Sequence, residues 1–177
     1  MTKNEFRSHC LKRLKFYSRV NNIKTDKIIC SAILDIINLH KPKKILVYIP
    51  LGIEVNINYL IKYLRRFTDI EIFVPYMKGE SFVAVKYRLP LKRKKFGIKE
   101  PNISFSYKPI KLDMLIVPIV GIDNQYKRIG FGAGMYDRFV EKLKYKPTIL
   151  FTQRVLCKID KTITSYYDIE PHYIITK

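Results

Sequence analysis

The sequence predicts a single three-layer α/β/α domain, with helices on both faces of a mainly parallel sheet and one antiparallel edge. Three observations predict it. Apolar segments of strand length alternate with segments of helical periodicity along most of the chain. Two strand candidates, residues 44–50 and 112–121, are apolar nearly throughout, as strands covered on both faces must be. A third, residues 81–89, sets Phe82, Ala84, Lys86 and Arg88 against Val83, Val85, Tyr87 and Leu89, which suits a half-exposed antiparallel edge. The 177 residues, 47% of them hydrophobic, are enough for one domain over 1–177 that buries roughly two-thirds of its unfolded surface.

In chain order, residues 2–20 read as a helix because Phe6, Cys10, Leu14 and Tyr17 recur at helical spacing, with Lys3 and Arg7 one turn apart on one face. On spacing alone those two cations are an ordinary basic surface pair. Thr25 or Asp26 is the expected cap of a second helix, 27–39, whose Ile28, Ile29, Ala32, Ile33, Ile36 and Ile37 form a broad core face. Strand 44–50 then runs into Leu51-Gly52-Ile53-Glu54. Ligands in open α/β sheets sit just beyond such strand ends, so Glu54 is placed either to grip a substrate or to act as a first-turn acid for the helix 56–67. Strands at 70–76 and 81–89, the turn-rich segment 96–101, the strand 112–121, a helix at 135–143 carrying Phe139, Val140 and Leu143, and strands at 147–152 and 172–176 complete the pattern.

The net charge of +19, from 34 Lys and Arg against 15 Asp and Glu, predicts a field that draws anions. The charge is scattered from Lys3 to Lys177, with one tight run at Lys92-Arg93-Lys94-Lys95, and no helix-turn-helix, zinc-finger or RNA-recognition signature accompanies it. A nucleic-acid partner is therefore disfavoured, although a basic nucleic-acid-binding module is the rival reading from outside enzymology. No apolar run approaches about 18 residues and no secretory pattern opens the chain, so a cytoplasmic protein without a membrane segment is expected, a monomer or weak dimer. Cys10, Cys30 and Cys157, odd in number and widely spaced, are expected to be free thiols packed in the interior. His9, His40 and His172 belong to no paired catalytic motif.

Three of the seven glycines, Gly130, Gly132 and Gly134, fall within Arg128-Ile129-Gly130-Phe131-Gly132-Ala133-Gly134-Met135-Tyr136-Asp137. A glycine loop between a buried strand and a helix can adopt positive φ and offer backbone N–H groups to a phosphate. The pattern satisfies neither the dinucleotide fingerprint nor the P-loop, and a tight turn with no ligand is the bland alternative. Arg128 beside the loop can fork onto phosphate oxygens. Asp137 can hold a divalent cation or merely favour the helix dipole.

The run Val117-Pro118-Ile119-Val120-Gly121-Ile122-Asp123, followed by residues 128–139, resembles the signature of the 5-formyltetrahydrofolate cyclo-ligase family. Lys3 and Arg7, the Glu54-Val55 pair, and Phe96-Gly97-Ile98-Lys99-Glu100-Pro101 resemble three further family segments in the same order. The resemblance implies a fold similar to the ribose-phosphate isomerase and CoA-transferase group. It implies ATP- and Mg2+-dependent cyclisation of 5-formyltetrahydrofolate to 5,10-methenyltetrahydrofolate, with small molecules as the partners. Lys3, Arg7 and the loop Arg128, Ile129, Gly130, Phe131, Gly132, Ala133, Gly134, Met135 and Tyr136 would then bind ATP. Ile49, Glu54 and residues 131–135 would bind the folate, with Arg128 and Glu54 as catalytic residues and Asp137 and Asp168 on the metal. Tyr76 or Phe96 would stack on the pterin, or simply pack. The loop departs from common family residues at Phe131, Ala133 and Met135, and His172 replaces a second Asp, which keeps a catalytically weak folate- or nucleotide-binding relative as an alternative.

Overall fold

The computed structural model describes residues 1–93, 99–101 and 109–177. Its main sheet has six strands in the order β10-β9-β6-β1-β2-β3. These are β1 (Lys44–Leu46), β2 (Glu71–Lys78), β3 (Ser81–Lys86), β6 (Met114–Pro118), β9 (Thr148–Thr152) and β10 (Tyr173–Ile175). Every pairing is parallel except β2 with β3. The α/β class and the antiparallel edge at residues 81–86 are thus as expected. Small two-stranded sheets join β4 (Leu91–Arg93) to β5 (Lys99–Pro101) and β7 (Gly121–Ile122) to β8 (Arg128–Ile129). Phe96-Gly97-Ile98 and Lys94-Lys95 lie outside the described residues.

Register explains the layering. Ile45, Ile72, Met114, Ile116 and Leu150 point to one face, where α2 (Ile23–His40) and α3 (Asn58–Phe67) cover them with Ile29, Ile33, Ile37, Leu60, Ile61 and Leu64. Their neighbours Leu46, Phe73, Leu115, Val117, Ile149 and Phe151 point to the other, against Phe139 of α4 (Met135–Glu141). This follows from the two-residue period of a strand, and it is why the central strand β6 is buried at all five positions. The first helix, α1 (Lys3–Tyr17), packs off the main sheet: Phe6, Cys10 and Leu14 join Val120, Ile129 and Cys157 in a separate cluster over the β7–β8 hairpin.

Several expectations are corrected. The second helix begins at Ile23, so Asp26 is not a cap but a buried first-turn residue; Asn22 precedes the helix and spends its amide on the Tyr17 and Val20 carbonyls instead. Helix α1 starts on a capping box in which Thr2 and Glu5 exchange hydrogen bonds, a signature the apolar spacing alone does not reveal. The long apolar run 112–121 ends as a strand at Pro118, because Gly121 and Ile122 turn away to pair with Arg128 and Ile129. Cys10 and Cys157 are not free thiols but a disulfide, bridging α1 to the segment after β9 across 147 positions. Only Cys30 stays free and buried, its thiol pushed up to about 11 by burial.

Candidate active site

Strand order reverses between β1 and β6: the chain leaves β1 toward β2 on one side and leaves β6 toward β9 on the other. A crevice opens at the carboxyl ends of such a pair. Here it is a cavity of about 390 Å³. Tyr48, Ile49, Leu51 and Glu54 enter it from the end of β1, Pro118 from β6, Pro75 and Met77 from β2, and Phe82 from β3. Arg128, Phe131, Ala133, Gly134, Met135 and Tyr136 close its remaining side. The wall is mostly apolar with a few polar groups, the usual build of a small-molecule site.

Among the described residues, Glu54 is the one carboxylate in that wall. Its Oε2 accepts the Leu51 N–H at 2.7 Å, and its own N–H donates to the Leu51 carbonyl at 3.0 Å. Burial raises its carboxyl to about 7, against the Leu51 N–H and the positive charges of Arg128 and Arg154, which lower it. Burial likewise keeps the Tyr48 and Tyr136 hydroxyls protonated, their own ionisation opposed further by Glu54. Tyr48 donates to the Val55 carbonyl at 2.9 Å and meets the Thr152 hydroxyl at 3.1 Å, which pins the chain as it leaves β1.

The glycines of the loop have distinct reasons. Gly132 (φ 111°) and Gly134 (φ 60°) occupy the left-handed region that side chains disfavour. Gly130 is required by space: a Cβ there would lie 2.3 Å from the Arg128 guanidinium, which folds back over its own loop. Arg128 is 4% exposed. Its Nε and Nη2 donate to the Pro118 carbonyl at 3.3 and 3.2 Å, its Nη1 donates to Asp137 at 3.1 Å, and its guanidinium lies over the Tyr136 ring. It is therefore a buried, paired cation rather than the free fork the sequence suggests. Arg7 reaches the loop from α1, its Nε donating to the Gly130 carbonyl at 2.8 Å.

Lys3 lies farther along, with its Nζ 2.6 Å from both oxygens of Asp168. Asp168 also accepts from the Ser165 N–H and hydroxyl. Asp137 takes the Ile169 N–H on its second oxygen at 3.4 Å, so the two acids stand on adjoining pieces of chain. Among the described residues no group of three or more metal-ligating side chains occurs. Two carboxylates suit Mg2+, which is commonly held by one or two acids plus phosphate oxygens and water. Each acid has a cationic partner, Arg128 for Asp137 and Lys3 for Asp168. Ile129 is wholly buried under α1, so only its backbone faces the loop.

The structure also shows what the sequence did not. Arg138 ties the loop to the β2–β3 hairpin, its guanidinium donating to the Glu80 and Ala133 carbonyls. Tyr76, offered as a pterin-stacking ring, packs on the α2–α3 face of the sheet; Pro75 and Met77, its neighbours of opposite parity, line the cavity. Phe82 enters the cavity wall from the edge strand, whose alternation predicts a half-exposed edge without saying which face is buried. His172 accepts the Ile149 N–H through Nδ1, a structural contact between strands.

A mostly apolar cavity at the carboxyl ends of parallel strands, bordered by a glycine loop with arginines and lysines around it, has the build of a small-molecule site in an α/β enzyme. Comparison with known proteins agrees. The model of the 5-formyltetrahydrofolate cyclo-ligase family matches residues 1–159, and the chain belongs to that family. It is similar to the 5-formyltetrahydrofolate cyclo-ligase of Haemophilus influenzae, with 27% identity over 143 residues, 77% of this chain and 76% of that one. It is 26% identical to the enzyme of that name from Mycoplasma pneumoniae over 145 residues, 81% and 79% of the two chains. Two solved structures share the fold. A 5,10-methenyltetrahydrofolate synthetase from Mycoplasma pneumoniae has a TM-score of 0.75 at 19% identity, over 99% of this chain and 98% of that one. The Aquifex aeolicus synthetase has a TM-score of 0.79 at 23% identity, over 99% and 90%.

Proposed function

We propose that the chain, as one cyclo-ligase domain over 1–177, uses ATP and Mg2+ to cyclise 5-formyltetrahydrofolate to 5,10-methenyltetrahydrofolate, releasing ADP and phosphate. The observation that carries this reading is the apolar cavity at the reversal between β1 and β6, with Glu54 in its wall and the glycine loop along its rim. The pyrimidine ring of a reduced pterin offers flat faces to apolar side chains and an edge of N–H donors, and a carboxylate in an apolar wall is suited to orient it. The formyl oxygen attacks the γ-phosphorus and ADP departs. The folate's N10 then attacks the activated formyl carbon, its proton is lost, and phosphate leaves with the former formyl oxygen. No protein nucleophile is needed, which fits a site built of cations, three acids and an apolar wall.

The side chains divide accordingly. Lys3, Arg7, Arg128 and the backbone of residues 129–136 hold the triphosphate; Ile49, Glu54 and residues 131–135 hold the folate. Arg128 stabilises charge on the transferring phosphoryl group, and Glu54 fixes the ring so that N10 meets the formyl carbon. Asp137 and Asp168 would hold the magnesium ion, which supplies charge neutralisation for the phosphates. Phosphates would replace the acids as partners of Lys3 and Arg128.

Purified protein mixed with 5-formyltetrahydrofolate, ATP and Mg2+ tests the proposal. Growth of the methenyl product's near-ultraviolet absorbance, stoichiometric with ADP, is expected. Folate binding with no product would assign the chain to a silent relative of the family, as the changes at Phe131, Ala133 and Met135 suggest. In the described residues no helix is long and apolar enough to cross a membrane. We read the chain as a cytoplasmic monomer or weak dimer.

A further inference from the structure

The turn that carries Glu54, residues 51–54, belongs to no helix or strand and borders the cavity, yet its acid must keep one position if it is to orient a ring. One side chain outside the cavity wall holds it. Arg154, two residues beyond the end of β9, is 7% exposed and donates to the Gly52 carbonyl at 3.1 Å through Nη1. Its Nε and Nη2 donate to both oxygens of buried Asp26 on α2, at 2.8 and 2.9 Å. The fork is thus fixed by α2 and the end of β9 before it reaches the turn. Only arginine has a planar set of donors that can grip a carboxylate with two N–H groups and a carbonyl with a third.

We propose that Arg154, anchored by Asp26, is a positioning residue for Glu54: it sets the place of the substrate-gripping turn through Gly52. The proposal rests on the assignment of Glu54 to the folate. Two arginines, Arg128 from β8 and Arg154, favour the Glu54 carboxylate, while the other titratable groups facing it, Tyr48 and Tyr136, stay protonated and add no charge; Cys30 behind Tyr48 is likewise a buried thiol. Arg128 already serves Asp137 and Pro118, so Arg154 is the cation whose geometry is directed at this turn.

Three variants of the full chain test it. Arg154→Lys keeps a charge but loses the fork. Asp26→Asn/Arg154→Met removes both charges together and so leaves no buried ion unpaired, which protects folding. Glu54→Gln removes the residue being positioned. In both Arg154 variants the folate KM is expected to rise roughly ten- to a hundredfold, the scale of a misplaced binding group, with the ATP KM and kcat changing less than about twofold. An unchanged folate KM in a folded double variant overturns the proposal, as does an ATP KM that rises equally. If Glu54→Gln raises the folate KM while the Arg154 variants do not, the clamp fails and the Glu54 assignment stands. If Glu54→Gln also leaves it unchanged, both fall.

Discussion

Glu54 shows what a buried carboxylate costs its fold. Its carboxyl rises from 4.5 to about 7 because burial disfavours the anion. The native state therefore binds that proton more tightly than the unfolded chain, and the stability it contributes is present below about pH 4.5 and lost as pH rises toward 7 and beyond. By linkage the loss is on the order of 3 kcal/mol at pH 8. Glu54→Gln should be more stable than the parent chain by about that amount at pH 8 and indistinguishable at pH 4, as read by urea midpoints; equal midpoints at both pH values would mean the carboxylate is well solvated. Arg128 carries the opposite lesson. The sequence presents it as a cation beside a loop, with no partner in view. With its side chain buried against Asp137 and the Pro118 carbonyl, Arg128→Ala should lower stability by about 3–5 kcal/mol, the usual loss when one member of a buried ion pair is removed. An unfolding midpoint within error of the parent would contradict that. Position along the chain made both residues candidates, but neither the surroundings of Glu54 nor the partner of Arg128 is written in local sequence.

The glycine loop was legible as an element, and for a stated reason: three glycines in five residues after a buried strand have few other uses. What could not be read is that each glycine answers a different demand. Gly130→Ala would drive a methyl into the Arg128 guanidinium and must displace it. If Arg128 serves the phosphates as proposed, the ATP KM should rise with a smaller effect on the folate KM; equal effects on both would point to a general collapse of the loop. Helix α1 is the element least legible in its role. Its apolar stripe was clear, but its partners, Val120, Ile129 and Cys157, lie more than a hundred positions away, and three odd, distant cysteines gave no local hint of a bridge. The disulfide closes a loop of 147 positions and fastens the helix bearing Lys3 and Arg7 to the core. The chain-entropy relation puts such a closure at about 4–5 kcal/mol. Thiol titration of the denatured protein should find Cys30 alone before reduction and all three cysteines after, with a lower unfolding midpoint in reductant. Three titratable thiols in protein that has never been reduced would show the pair to be open.

For the molecule as a whole, fold class was the most legible property, because a central strand buried at every position demands cover on both faces. The cavity was only half legible. Ile49 and Glu54 follow a recognisable strand end, whereas Tyr48, Pro75, Met77, Phe82 and Pro118 reach it through sheet order and register, which single segments do not encode. The +19 charge remains mostly solvated surface, and its organised part is the group of Lys3, Arg7, Arg128 and Arg138 around one loop. The decisive measurement is a crystal structure of the protein with a non-hydrolysable ATP analogue, Mg2+ and 5-formyltetrahydrofolate. The expected result has the triphosphate against the 130–134 backbone with Lys3 and Arg7 turned onto it, the metal at Asp137 and Asp168, and the pterin beside Glu54 with its formyl oxygen facing the γ-phosphorus. A nucleotide bound elsewhere, with the loop filled by neighbouring side chains and both ion pairs intact, would contradict it.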